Sequence, residues 1–192
     1  MELCDDETMA GLMKALQGGD ADDLAAVDRL AARHPADPRL HFMRGSILAG
    51  RKKAIEAHAA LSRAVELAPD FHIARYQLGF FELTSGEVDR ALSTWGPLLR
   101  LPEDAYLRKF VEGLTHLIRD EFDPALARMR EGLALNRENE PLNNDIRLLI
   151  TECEKASGKP AGTAPGEEDD TALSATSVLL GQFALNPNNG RT

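Results

Sequence analysis

The sequence predicts an all-α protein built from tandem helix–turn–helix units, and three observations carry that prediction. Gly45, Gly79 and Gly113 are evenly spaced, and Ala57, Ala91 and Ala125 repeat the same interval, offset from the glycines by twelve. A small residue is needed wherever two helix backbones approach closely, so two ladders of equal period mean one tight contact point per helix in each of three copies. The third observation lies downstream, where Leu142, Ile146, Leu149, Ile150 and Cys153 recur at helical spacing. A period of about 34 residues is the mark of a repeat architecture rather than of a catalytic globule.

Each unit has its own signals. Gly11 precedes Gly45 by one full period and Pro35 precedes Pro69 by the same interval, so residues 4–37 read as a degenerate first copy. Leu24, Val27, Leu30 and Ala31 lie on its second helix. The copy at 38–71 opens on Asp37-Pro38, an N-cap followed by proline at the first helical position, where its missing N–H costs nothing. It supplies Gly45, Ala57, Leu61, Ala64 and Pro69. The copy at 72–105 runs through Ala74-Arg75-Tyr76-Gln77-Leu78-Gly79 and Gly86-Glu87-Val88-Asp89-Arg90-Ala91-Leu92. Pro97 falls inside its expected second helix, 88–101, follows Gly96, and predicts a kink there. Pro69 and Pro102 fall between units and stop the preceding helices. The copy at 106–139 supplies Gly113, Phe122, Ala125 and Met129, with Gly132 where Ala64 stood; Asp123-Pro124 predicts an N-cap and first helical residue. A last helix over 140–156 reads as a cap that closes the open end of the stack with a polar outer face.

These residues resemble the tetratricopeptide repeat, over roughly residues 4–156. The resemblance implies a right-handed α-solenoid with three clear copies, one degenerate N-terminal copy and a capping helix, forming one domain over 1–156. Two positions depart from the family pattern. The usual aromatic early in the first helix is His41, Arg75 and Lys109, and the usual tyrosine later in that helix is Leu48, Glu82 and His116. The resemblance also implies that the second, fifth, sixth, ninth and twelfth residues of each copy line a concave groove. These are Arg39, Phe42, Met43, Ser46 and Ala49; then Ile73, Tyr76, Gln77, Phe80 and Leu83; then Leu107, Phe110, Val111, Leu114 and Leu117. Family members that clamp a C-terminal carboxylate place Lys, Arg and Asn here, and this chain does not. So apolar a surface is an interaction site or, with the first helices rotated by their unusual core residues, ordinary inter-helix core. Both readings stand at this point.

Composition narrows the chemistry. The chain has 192 residues, a net charge of −9, 28% charged residues and 5% aromatics, which describes an acidic, soluble, helical protein. No run of 18 apolar residues offers a membrane span. The acidic N-terminus does not read as a secretory signal, so a cytoplasmic setting is expected. Cys4 and Cys153 form no metal-type spacing. The five histidines show no i,i+4 pairing and no serine sits in a nucleophile elbow. No catalytic residue, cofactor or metal is therefore assigned, and no enzyme is expected. Residues 1–37 carry nine acids and three bases, whereas 38–71 carry six bases and three acids. Arg51-Lys52-Lys53 holds most of that excess, as a contact for an acidic partner or as a solvated turn. One short basic run in an acidic chain does not provide the footprint that nucleic acid needs.

Residues 157–170 have the composition of a flexible linker. Beyond them, in residues 171–192, Val178, Leu179, Leu180, Phe183 and Leu185 restore an apolar character. This tail is a candidate occupant of the groove, in cis or in a neighbouring subunit, which would make a homo-oligomer. The expected function is a non-catalytic adaptor or scaffold that binds an apolar helical or extended protein segment. The alternatives are a chaperone-like holder of a hydrophobic client and an accessory subunit of an enzyme complex. The Ala/Leu/Arg-rich, aromatic-poor style suggests a bacterial protein.

Overall fold

The computed structural model describes residues 3–17 and 22–157. All regular structure there is helical: α1 (Asp6–Gln17), α2 (Asp23–Arg33), α3 (Pro38–Gly50), α4 (Ala54–Leu67), α5 (His72–Thr84), α6 (Val88–Trp95), a 3₁₀ turn (Leu98–Arg100), α7 (Tyr106–Ile118), α8 (Phe122–Leu135) and α9 (Glu140–Ala156). The protein is all-α over these residues. Residues 158–170 of the expected linker and the whole tail, with Val178, Leu179, Leu180, Phe183 and Leu185, lie outside the described residues.

The interval of the two ladders reappears in the backbone. α3, α5, α7 and α9 start at 38, 72, 106 and 140, and α4, α6 and α8 keep the same step at 54, 88 and 122. The first helix of each of the three clear copies ends in the same way. Lys52, Gly86 and Asp120 take positive φ values of 59°, 84° and 59°. The following amide in each case reaches back five residues: Lys53 N–H to Leu48 O at 3.0 Å, Glu87 to Glu82 at 2.9 Å and Glu121 to His116 at 3.1 Å. The left-handed residue itself donates three residues back, to Ala49, Leu83 and Leu117, at 3.0 Å in all three. Such a pair of bonds around a left-handed residue is a Schellman turn. The turns between copies repeat as well. Asp37, Phe71 and Ala105 each donate to the backbone carbonyl three residues earlier at 3.0 Å, and Asn139 donates to the Asn136 side chain at 3.1 Å instead.

Helix ends follow the sequence at Pro38 and at Pro69, before which α4 ends, and depart from it at Pro97 and Pro124. Asp37 caps α3 by accepting from the Arg39 amide, with Pro38 in the first turn. Asp123-Pro124 does not start α8: the cap is Glu121 and the helix is already running at Phe122. Proline is accommodated within the first turn because amides there have no intrahelical partner. Pro97 does more than kink its helix. α6 stops at Trp95, Gly96 turns its amide to Ser93 O at 3.2 Å, and the chain continues as the 3₁₀ turn. Proline has no N–H to continue the ladder, and the glycine before it is a poor helix former.

The chain forms two compact units, one up to Phe81 and one from Glu82. In the first, Cys4, Met9, Leu12, Val27 and Leu40 make a buried cluster with Leu30, Ala31, Met43 and Ile47 packed on it. Val27, Leu30 and Ala31 thus face the core from α2. A second cluster joins Leu48, Ala57 and Ala60 to Leu24 and Phe81. The ladder glycine Gly45 is needed here: a Cβ on it would lie 2.6 Å from Leu61 Cγ. In the second unit Trp95, Leu98, Phe110, Leu114, Leu117 and Met129 have no significant exposure. Gly113 repeats the role of Gly45, since a Cβ there would meet Met129 Cγ at 2.8 Å. Gly132 replaces Ala64 for a visible reason, because a Cβ would overlap the Phe110 ring. α9 lies on α8 and buries Leu142, Ile146, Leu149, Ile150 and Cys153, the residues whose spacing announced it.

Candidate functional site

The apolar positions of the first helices divide sharply. On α7, Leu107, Phe110, Val111, Leu114 and Leu117 are all buried. α7 is flanked by α6, the 3₁₀ turn and α8, and Gly132 admits the Phe110 ring into the α7–α8 contact. Tyr76 and Leu83 on α5 are buried too. These seven residues are interior, so of the two readings left open at these positions they take the inter-helix core and do not line an open groove. The sequence places them on one face of a helix but does not contain what covers that face.

What remains partly exposed is the corresponding strip of the first unit: Phe42, Met43, Ile73 and Phe80, with Ser46 and Ala49. Phe42 meets Phe71 with ring centroids 5.3 Å apart and tilted, and Tyr76 stacks with Phe80 at 6.2 Å. Met43 leans on the buried cluster around Leu40, and the Ser46 hydroxyl is turned inward, donating to Phe42 O at 3.0 Å. Arg39, the charged member of the groove set, is committed elsewhere. It donates to both Asp37 carboxylate oxygens, to Asp6 and to Cys4 O, while the Cys4 amide donates to Asp37 Oδ2 at 3.0 Å. Asp37 is fully buried. Burial pushes its carboxyl up, but the hydrogen bonds from the Arg39 side chain and from the Arg39 and Cys4 amides outweigh this and hold it below the usual carboxylate range. The clamp ties the start of the chain to the head of α3.

The departures from the usual repeat residues form a pattern of their own. His41 Nε2 lies 2.9 Å from Pro35 O, Arg75 donates to Pro69 O at 3.2 Å, and Lys109 Nζ lies 3.9 Å from Glu103. In each copy the side chain reaches back six residues to the preceding turn. The second departure is solved three ways: Leu48 is buried, Glu82 accepts from the Thr94 hydroxyl at 2.6 Å, and His116 Nδ1 pairs with Glu121 Oε2 at 2.6 Å. Five of these six side chains make polar contacts, and Leu48 packs in the interior. Their signal was already in the sequence as polar residues exchanged in register.

Lys109 also anchors a charge network on α7 and α8. Its Nζ is 3.2 Å from Glu131; Arg128 reaches Glu131 at 2.8 Å and Glu112 at 3.6 Å; Arg108 reaches Glu112 at 2.8 Å. Hydrogen bonds from Lys109 first and Arg128 second hold the Glu131 carboxyl down. Cations and carboxylates neutralise one another here, which is structural chemistry. Cys153 is buried, and burial, then Glu152 and Glu154, push its thiol up to about 11. Among the described residues no group of His, Cys, Asp and Glu is placed to hold a metal ion, and no helix is long and apolar enough to cross a membrane. Compared with models of known protein families and with curated proteins, the chain shows no match.

Proposed function

We propose that the chain is a tetratricopeptide-type α-solenoid that binds an apolar segment of another protein and performs no chemistry itself. The observation that carries this reading is the threefold Schellman turn at Lys52, Gly86 and Asp120, in step with helix starts at 38, 72, 106 and 140. Tandem helical hairpins of this period serve as binding surfaces in repeat proteins. Residues 4–37 act as the first copy and α9 as the cap. The partner lies along the partly exposed strip of Phe42, Met43, Ile73 and Phe80, because large apolar side chains left accessible on a protein mark contact sites. The apolar tail, residues 171–192, is the first ligand to try, and a cytoplasmic setting fits two thiols held without a disulfide.

The test is an amide NMR titration of the full chain with apolar peptides, starting from one spanning residues 171–192. Saturable shifts confined to α3 and α5, lost in Phe42→Ser/Ile73→Ser, are the expected result. Peptides that shift nothing, or shift residues throughout the chain without saturating, would overturn the binding strip.

A further inference from the structure

The turn between α3 and α4 has the same backbone as its two counterparts and the opposite chemistry. Arg51-Lys52-Lys53 is the sole run of three basic residues in the sequence, and all three are exposed. Two residues on, Ile55 is 85% exposed, the most exposed large hydrophobic of the described residues. The counterparts in the next two copies are Ser85-Gly86-Glu87-Val88-Asp89 and Arg119-Asp120-Glu121-Phe122-Asp123. There the turn is acidic, and Asp89 or Asp123 stands where Ile55 does.

Local physics favours the counterparts. Carboxylates suit the first turn of α4, where Lys53 is the cap, although Arg51 as the cap of α3 suits the negative end of that helix. A lysine in the left-handed region pays a steric cost that Gly86 avoids. Ile55 gains nothing from burial. The left-handed cost is shared with Asp120, but a sequence that places cations at the head of α4 and an exposed Ile55 behind them in one copy of three, on an unchanged backbone, has a use for that surface.

The complementary segment is in the same chain. Glu167-Glu168-Asp169-Asp170 is the sole run of four acids in the sequence, and Leu173 follows it by three residues as Ile55 follows Lys53 by two. We infer that the turn at Arg51–Ile55 is a docking site for residues 167–173, with the carboxylates on the three cations and Leu173 against Ile55. This site is distinct from the apolar strip on α3 and α5 and stands or falls without it. It makes the basic turn a receptor for the chain's own acidic segment, offered by the same molecule or by a second copy.

The experiment is zero-length carbodiimide coupling on the full chain, which condenses a lysine amine with a carboxylate into an amide with loss of water, followed by peptide mass spectrometry. Lys52 and Lys53 are expected to couple to Glu167–Asp170 in preference to the exposed Lys14. The yield should fall at least about threefold between low salt and about 1 M salt, where screening is short-ranged. It should fall similarly in Arg51→Ser/Ile55→Asp, which keeps both reactive lysines. The salt arm uses the unaltered chain, so it remains decisive if the variant misfolds. Coupling of the acidic run to Lys14 as readily as to Lys52 and Lys53, or a yield indifferent to salt, would overturn the proposal.

Discussion

At the scale of single residues, the left-handed turns give the cleanest expectations. Asp120→Gly and Lys52→Gly should each raise stability by about 1 kcal/mol, because glycine occupies positive φ without steric cost. Gly86→Ala should lower it by about as much; chemical denaturation measures all three. The helical glycines separate in the opposite sense. Gly11 has open space where a Cβ would go, so Gly11→Ala should stabilise by up to about 1 kcal/mol through helix propensity. Gly132→Ala drives a methyl into the Phe110 ring and should cost about 2 kcal/mol, the usual range for overpacking. Asp37 sets a pH dependence. Its carboxyl is held below its unfolded value, so its contribution is fully present above about pH 4 and is lost as pH falls through the folded value. Melting temperatures of Asp37→Asn should be lower at neutral pH and show a flatter decline below about pH 4 than those of the unaltered chain.

Among elements, α9 is held both by packing and by a polar hinge. Asn136 accepts from the Glu138 and Asn139 amides and donates to Asn143 Oδ1 at 3.0 Å, while Asn143 returns a bond to Asn136 O at 3.0 Å. Asn136→Ala would strand buried partners and should cost about 2 kcal/mol, read by denaturation and by faster amide exchange in α9. The sequence revealed α9 through its apolar spacing, and α3 through Asp37-Pro38. It was less informative where local signals compete. Pro124 looks like a first helical residue, yet any position in the first turn tolerates it. Trp95-Gly96-Pro97 suggested a bent helix, but two weak helix positions in a row end α6. Of the three left-handed positions only Gly86 is marked by its residue type; Lys52 and Asp120 share its backbone without that mark.

For the molecule as a whole, period was legible and coverage was not. Glycine and alanine spacing predicts where helices begin, because close backbone approach leaves a mark on residue size. Whether Leu107, Val111 and Leu114 face solvent or protein depends on which neighbour lies over them, and no spacing on α7 encodes that. The same holds for Cys153: its position on the apolar face was clear, and its burial adds that it should resist thiol reagents at about pH 8 until the chain unfolds, as should Cys4. The recurring turns have one more consequence. Phe71 and Ala105 make the same backbone bond to the residue three positions back, at 3.0 Å in both, and each is followed at once by a helix start. Residues 72–105 can therefore be excised, joining Phe71 to Tyr106, without asking either flank to adopt a new conformation at the splice. In that sense the chain is punctuated like a ruler, with marks at which it can be shortened or lengthened by a whole division, the kind of edit by which gene duplication changes a protein's length while sparing its joints.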